Sequence, residues 1–427
     1  MKLKRVLGWT ALTFYGVGDI LGAGIYALVG KVAGVVGPAA WLSFLAAFVV
    51  AALTALSYAE FSSRMPRAAG AAVFTLEAFR LSWLSYIVGF MVLFSGIISM
   101  GAASRAFAGY LTGLLPALPE YVIIFLFFLV LAAINFKGIK ESSAANVVCT
   151  IIELTGLFIV IAAGMKFFGK ADLLSIQPAE GNFWGVAVLQ GGALAFYAFI
   201  GFEDLVNVAE EAKDPVRTIP KAILLSLAIG TVVYILVTIS AVSTMPFGEL
   251  TASKAPLVNV VQRSFPGFPI WIFSLIALFA VANTALLNFI MGSRVLYGMS
   301  SDRLVPAFFG RLHAKTGTPH LAILVIWGVA LILTYSGTLV VLAQATSLLL
   351  LTVFMIVNAA LIVIKRREPE SGTFRVPIIV PILGIFSTVG LMFFLDLKAY
   401  KVVGVVLLII AIAYFFSRRR YTGMNHS

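Results

Sequence analysis

Long runs of apolar residues, separated by short polar segments, follow one another along almost the whole chain. A helix that crosses the hydrocarbon core of a bilayer needs about 20 mainly apolar residues, and twelve runs approach that length. The pattern therefore predicts twelve membrane-spanning helices. Their approximate limits are 8–35, 39–62, 82–114, 119–136, 147–168, 184–208, 222–245, 269–292, 320–336, 338–364, 376–395 and 402–416. The runs are continuously apolar rather than alternating, which excludes a β-barrel.

The composition agrees with a bilayer as the solvent of this chain. Of the 427 residues, 61% are hydrophobic and 11% are charged, whereas soluble domains are about half apolar and about a quarter charged. A soluble globular protein, a disordered chain and a nucleic-acid-binding domain therefore fit this composition poorly. The single cysteine, Cys149, cannot form an intrachain disulfide. The basic start of the chain leads into an apolar run without a small-residue cleavage motif, so we interpret it as the uncleaved beginning of the first span.

Basic residues are distributed unevenly between the two sets of connecting segments. The termini and the segments after even-numbered spans hold 22 of the 30 Lys and Arg residues. The opposite segments hold seven, and Arg105 lies inside the third run. Lys and Arg are enriched on the cytoplasmic side of membrane proteins. We therefore expect a multi-pass protein of the cell membrane with both termini in the cytoplasm.

The first span contains Gly16, Gly18, Asp19, Gly22 and Gly24 within one apolar stretch. Each glycine costs roughly 1 kcal/mol relative to alanine inside a helix, so an unwound segment around the last two is one interpretation. Unpaired backbone groups are tolerated in a bilayer only where they line a cavity or meet a ligand. Close packing of helices through small residues is the alternative, and the spacing alone does not separate the two.

The sixth span carries Gly201, Glu203, Asp204 and Asn207 in its middle to late part. A charge inside a bilayer costs at least about 2.5 kcal/mol, so these carboxylates need a partner or a polar cavity. Spans 1 and 6 are the first members of two sets of five. Interrupted helices at corresponding positions of two halves indicate a transporter site formed by inverted repeats.

Several short motifs, taken in order, resemble those of the amino acid–polyamine–organocation transporters, and in particular the bacterial and archaeal permeases similar to cationic amino acid transporters. The matching stretches are Gly22-Ala23-Gly24-Ile25-Tyr26, Tyr58-Ala59-Glu60 with Pro66-Arg67, Asn135 with Gly138-Ile139-Lys140 and Asn146, Phe199-Ile200-Gly201-Phe202-Glu203, Ala209-Glu210-Glu211 with Asp214-Pro215 and Ile219-Pro220, Ser293-Arg294-Val295-Leu296-Tyr297 with Asp302 and Pro306, and Thr316-Gly317-Thr318-Pro319. Each piece is weak alone, but the ordered set is specific.

The resemblance implies an all-α fold similar to LeuT, with helices 1 and 6 unwound in mid-membrane. Residues 1–170 would form the first inverted repeat, 171–367 the second, and 368–427 the peripheral spans 11 and 12 with a cytoplasmic tail. It also implies secondary active transport of amino acids by alternating access. Proton coupling is the favoured expectation, with sodium coupling and exchange as alternatives.

An amino acid presents a carboxylate and an ammonium group to such a site. The N–H groups of Gly22, Ala23 and Gly24 suit the carboxylate, because they begin a half-helix. Freed carbonyl groups in both broken spans suit the ammonium, and the family places a bulky aromatic residue at the position of Tyr197. The expected substrate-binding residues are Gly18, Ile20, Leu21, Gly22, Ala23, Gly24, Phe196, Tyr197, Phe199 and Gly201. For any one of these aromatic side chains, a place in the core or against lipid is the alternative.

Span 5 departs from the family. In some proton-coupled relatives a lysine there takes the place of a sodium ion, whereas this chain has Glu153. We expect Glu153, with Asp19 and with Asn283 or Thr284 from span 8, to form a coupling site for H⁺ or Na⁺, since two carboxylates at low dielectric share a proton or bind a cation. Glu203 either titrates during the cycle or holds spans together. A purely structural pairing is the alternative for Glu153 as well.

Other functional classes fit the sequence less well. A channel needs a pore lined by rings of carbonyls or charges, and an enzyme needs a nucleophile motif or a cluster with metal-ligand spacing. We expect no enzymatic activity, no metal and no cofactor beyond a coupling ion. The expected partners are a small amino acid and the bilayer, with no nucleic acid, and the chain is expected to be a monomer or a weak homo-oligomer. A polyamine or organic-cation carrier is the main alternative.

Overall fold

The computed structural model describes residues 7–65, 70–137, 143–177, 183–301, 305–368 and 373–424. Within these ranges the secondary structure is helical, apart from one isolated bridge between Leu7 and Ala212. The α-helices are α1 Trp9–Ile20, α2 Ala23–Val36, α3 Ala40–Arg64, α4 Ala71–Phe79, α5 Ser82–Leu114, α6 Glu120–Lys137, α7 Ser143–Met165, α8 Trp184–Ala195, α9 Pro215–Thr244, α10 Phe247–Ala252, α11 Pro256–Ser264, α12 Ile270–Ser301, α13 His320–Ser336, α14 Leu339–Arg367, α15 Ile379–Met392 and α16 Leu397–Met424. Short 3₁₀ helices cover Gly37–Ala39, Phe196–Phe199, Phe202–Glu211 and Ala307–Gly310.

Nine helical stretches of the described chain are long and apolar enough to cross a membrane. One of them, Ala23–Arg64, comprises both α2 and α3, and two shorter apolar helices, α13 and α15, lie in two further predicted spans. The prediction of an all-helical, multi-pass membrane protein is thereby confirmed. Hydropathy locates the bilayer segment of a helix rather than its ends. Accordingly, α9 begins at Pro215 and α12 continues to Ser301, each several residues beyond its predicted span.

The long helix α5 lies at the centre of the bundle and packs on α12 and α14, while α3 packs on α9 and α1 packs on α9 and α7. These neighbours surround the two interrupted segments, so α2 and Phe196–Phe199 are almost completely buried. The interruptions therefore face protein rather than lipid, as unpaired backbone groups in a membrane protein must.

Polar contacts fix the chain at several helix ends. The buried Glu60 of α3 pairs with Arg64 at 2.6 Å and with Lys365 of α14 at 2.8 Å, and it accepts a hydrogen bond from the Val376 backbone. The sequence motif around Glu60 is thus an interhelical ion cluster, and its other basic residue, Arg67, lies outside the described residues. Glu60 does not line either cavity described below, and the cluster explains how α3 packs against α14.

Around the helices α10 and α11, a second set of contacts links different parts of the bundle. Lys31 of α2 donates to the Thr251 carbonyl at 2.5 Å. Glu120 of α6 pairs with Arg105 of α5 at 2.9 Å and with Lys254 at 3.6 Å. Arg105 therefore has an acidic partner, and its guanidinium also donates to a backbone carbonyl of α13. These contacts hold the α10–α11 segment against α2 and α6, and α5 against α6 and α13.

Candidate functional site

The first interruption lies between α1 and α2. The helix α1 ends at Ile20, Leu21 and Gly22 have non-helical backbone angles, and α2 begins at Ala23. The Gly22 amide turns back to the Ile20 carbonyl at 2.9 Å. Gly22 carries no side chain, so it cannot supply a cap to the new helix, and the Ala23 amide instead donates to Thr284 Oγ1 of α12 at 3.0 Å. The glycine pattern of the first span thus marks a real change of backbone direction.

The second interruption follows α8. One turn of 3₁₀ helix, Phe196–Phe199, leads to an extended Ile200 and then to Gly201, whose φ of +128° favours glycine strongly. The Gly201 amide donates to Glu203 Oε2 at 2.9 Å. Glu203 therefore satisfies a backbone group that the interruption has freed, which is a structural role. A role in titration stays a prediction.

The two interruptions meet in the centre of the bundle. A Cβ on Gly201 would lie 2.8 Å from the Asp19 carbonyl oxygen, and one on Gly24 would lie 2.5 Å from the Ala198 Cα. Glycine at these two positions is what allows the backbones to touch. The Tyr234 hydroxyl of α9 lies between them, 2.5 Å from the Ile20 carbonyl oxygen and 2.7 Å from that of Ala198. It has one hydrogen to donate, so it serves these two acceptors in turn.

A cavity of about 310 Å³ opens where the interruptions meet and extends to Leu7 and Glu211. The expected site residues that line it are Asp19, Ile20, Gly22, Ala23, Gly24, Tyr197, Gly201, Asn283 and Thr284. The structure therefore brings together most of the predicted site. Gly18, Leu21, Phe196, Phe199, Glu153 and Glu203 do not line this cavity.

The aromatic candidates separate into two groups. Tyr197 lines the cavity, and its hydroxyl lies 3.0 Å from Ser99 Oγ of α5. Phe196 packs edge-on against Phe354, and Phe199 packs edge-on against Tyr234, with both rings fully buried. The side chains of Phe196 and Phe199 thus pack in the core, which was the alternative to substrate contact in the sequence analysis. Only their backbone atoms are placed to bind a ligand.

Glu153 of α7 is fully buried beside the cavity. Its Oε1 accepts a hydrogen bond from Asn283 Nδ2 of α12 at 3.0 Å, while Oε2 has no hydrogen-bond partner among the described residues. The Tyr26 hydroxyl donates to the Glu153 backbone carbonyl at 3.0 Å, which ties α7 to α2. Asn283 is followed directly by Thr284, so one turn of α12 contacts both the carboxyl of Glu153 and the start of α2. Asp19 contributes to the cavity wall, and its cooperation with Glu153 stays a prediction.

A smaller cavity of about 90 Å³ adjoins the first. Glu203, Asp204 and Asn207 line it on one side, and Asn207 Nδ2 donates to Asp204 Oδ1 at 3.1 Å. Ser99 and Asn288 border both cavities. Sequence reasoning missed these two residues, and the signal that could have found them is a polar side chain deep inside an otherwise apolar span.

The known proteins to which this chain is similar are permeases and transporters. A family model described as amino acid permease matches residues 7–417. The branched-chain amino acid permease BcaP of Bacillus subtilis (strain 168) is 29% identical, over 99% of this chain and 95% of that protein. The methylthioribose transporter of the same organism is also 29% identical, with the same coverage. Cationic amino acid transporter 4 of Mus musculus is 32% identical over 87% of this chain and 62% of its own length.

Proposed function

Because this chain belongs to the amino acid permease family, we propose that it transports amino acids across the cell membrane by alternating access. The observation that carries this proposal is the cavity in which both interrupted segments end. A transport site needs a polar surface that is shielded from lipid, and broken helices supply one from backbone atoms alone.

The proposed fold has twelve membrane spans and two inverted repeats similar to LeuT. In this assignment α1 and α2 form span 1, and α8 with the following 3₁₀ segments forms span 6. Residues 1–170 and 171–367 would be the repeats, and 368–427 would add spans 11 and 12. The support is positional, since the two interruptions fall in the first span of each proposed repeat.

In the proposed substrate site, the carboxylate binds the amide groups at the start of α2. Ala23 and Gly24 lie at the positive end of the helix dipole and line the cavity. The ammonium group binds carbonyl oxygens at the end of α1 and in the turn before Gly201, which are neutral dipoles and leave no charge behind when the site empties. Tyr197 covers the bound molecule from the side of Ser99.

We assign proton coupling to Glu153. Its two oxygens differ, because one is held by Asn283 and the other has no partner in the described residues. A proton on Oε2 would neutralise a charge that costs free energy in a buried position. The contact of Asn283 with Glu153, next to that of Thr284 with Ala23, gives a short route by which this change reaches the substrate site.

The lining of the main cavity favours one second candidate. Among the described residues, this lining includes the acidic Asp19, Asp204 and Glu211 and no Lys, Arg or His. A cationic cargo would be attracted to such a wall, so a polyamine or organic cation is the alternative cargo.

With the N-terminus in the cytoplasm, as the basic residues predict, the extension of the cavity to Leu7 and Glu211 would correspond to an inward-facing state.

The test is uptake into proteoliposomes by wild type and by Glu153→Gln, which has the same shape but cannot lose a proton. A thermal-shift screen of amino acids, putrescine and spermidine first selects the cargo. We expect a pH gradient to drive saturable accumulation by wild type, and Glu153→Gln to exchange cargo but no longer accumulate it. Glu249→Gln, at an exposed acidic residue, is the control.

Three outcomes would contradict parts of this proposal. Accumulation by Glu153→Gln equal to wild type would remove the coupling role from Glu153. Accumulation driven by a sodium gradient alone would show that the coupling ion is Na⁺ and not H⁺. A flux that does not saturate with cargo concentration would indicate a channel.

A further inference from the structure

The amide of Ala23 is already occupied, and its partner comes from a distant part of the chain. Ala23 N–H donates to Thr284 Oγ1 at 3.0 Å, and the hydroxyl of Thr284 donates its own hydrogen to the Ala280 carbonyl one turn earlier in α12, at 3.3 Å. The hydroxyl is therefore oriented as an acceptor toward the start of α2.

This contact has the geometry of a helix cap supplied by another helix. The first amide groups of a helix lack partners within it, and a side chain just before the helix usually accepts from one of them. Here that position is Gly22, which carries no side chain. A Cβ on Gly22 would collide with the Thr284 hydroxyl, so the glycine both denies α2 its own cap and makes room for the one from α12.

We propose that Thr284 is a displaceable cap, a positioning residue whose hydroxyl takes the place that the substrate carboxylate occupies when an amino acid binds. This inference rests on the proposed function. One amide hydrogen cannot donate fully to two acceptors, and a carboxylate is the stronger acceptor because it is charged. Binding therefore exchanges one hydrogen bond for another, and the net affinity is smaller than the new bond alone would give.

Replacing the Thr284 hydroxyl by a substrate carboxylate would affect the transport cycle of a carrier. Without the cap, the Ala23 amide would lose its partner from the protein whenever the site is empty, and a carrier passes through the empty state in every cycle of net uptake. The cap stabilises the empty site and thereby lowers the barrier to substrate release. Removing it should raise affinity and slow turnover together.

The first experiment needs no substrate. Hydrogen–deuterium exchange of the segment containing Ala23 is compared in wild type, Thr284→Val and Thr284→Ser, each reconstituted in nanodiscs. Valine keeps the shape of threonine without an acceptor, and serine keeps the acceptor. We expect exchange at Ala23 to rise roughly 5- to 150-fold in Thr284→Val, and to stay near wild type in Thr284→Ser. Equal exchange in all three proteins would overturn the cap.

The second experiment measures binding and turnover with L-leucine and L-lysine, each tested separately. We expect Thr284→Val to bind the accepted amino acid roughly 5- to 150-fold more tightly and to transport it more slowly at saturation. Serine should restore both values. Leucinamide and lysinamide, which lack the carboxylate, should show no such gain in affinity.

The possible failures can be told apart. Binding that is unchanged or weakened in Thr284→Val, with wild type binding normally, would overturn the displacement and leave the proposed function intact. If wild type bound no amino acid in the full screen, the proposed function would fail, and the displacement by an amino acid would fail with it, whatever the exchange at Ala23.

Discussion

The close contact between Gly201 and Asp19 allows a quantitative test of how the two interruptions fit together. Gly201 has a φ of +128°, and a Cβ there would lie 2.8 Å from the carbonyl oxygen and 2.9 Å from the carbonyl carbon of Asp19. Gly201→Ala therefore introduces two separate costs, one in its own backbone and one against α1. Both atoms it would meet belong to the backbone, so neither can rotate away.

The size of each cost follows from the geometry. Holding a residue other than glycine in such a backbone region costs about 1–3 kcal/mol. Forcing an extra carbon into a well-packed interior typically costs a further 1–3 kcal/mol or so. The expected loss of stability for Gly201→Ala is therefore about 2–6 kcal/mol, the sum of these two costs.

Two other glycines separate these costs. Gly169 also has a positive φ, of +82°, but no described atom lies within 4 Å of the place that a Cβ would take, so Gly169→Ala should cost only about 1–2 kcal/mol. Gly404 lies inside α16, and no described atom lies within 4 Å of the place that its Cβ would take, so Gly404→Ala should be neutral or slightly stabilising. In one detergent, the thermal midpoint should be highest for Gly404→Ala, lower for Gly169→Ala and lowest for Gly201→Ala. Substrate affinity should decrease only in Gly201→Ala.

The result that would refute this reasoning is specific. A Gly201→Ala protein as stable as Gly169→Ala would show that the contact with Asp19 is absent. One as stable as wild type would show that Gly201 does not adopt a left-handed backbone at all.

Two further predictions follow from other parts of the molecule. Cys149 is the single cysteine and lines the main cavity, so a bound amino acid should slow its reaction with a maleimide several-fold, and equal rates with and without L-leucine or L-lysine would place it off the transport path. Glu60→Gln should destabilise the protein by about 3–5 kcal/mol, because it removes the buried negative charge that pairs with both Arg64 and Lys365. Glu249→Gln breaks a half-exposed pair and should change stability by about 0–1 kcal/mol, so equal thermal midpoints for the two variants would contradict the buried cluster.

The sequence located the backbone parts of the candidate site well. Gly22 and Gly24 made an interruption one of two interpretations of the first span, and Gly201 with its neighbouring carboxylates indicated one in the sixth, because glycine inside an apolar helix is costly unless the backbone needs it. The family resemblance then supplied the expected site residues beside these glycines, without knowledge of any tertiary contact. Ala23 and Tyr197, two of these expected residues, line the main cavity, and their contact with a substrate stays a prediction.

Side chains that reach the site from other helices were harder to predict. Tyr234 lies in α9, in an apolar run with no unusual spacing, and its hydroxyl becomes significant only when Ile20 and Ala198 are brought beside it. Ser99 and Asn288 illustrate the same limit. Helix rotation decides which residues face inward, and the apolar runs have almost the same composition on all sides, so their pattern does not fix that rotation.

The cost of interrupting two helices explains why these particular side chains surround the site. Each interruption frees amide and carbonyl groups that a bilayer cannot solvate, and the structure provides partners from elsewhere in the fold. Tyr234 serves the freed carbonyls, Glu203 serves the Gly201 amide, and Thr284 serves the Ala23 amide. Because these partners are single side chains rather than a continuous helix, a ligand with its own carboxylate and ammonium would replace some of them one for one in the proposed site. The affinity of such a site is set by a difference between similar hydrogen bonds, and it can therefore be changed in either direction by altering the partner without touching the ligand.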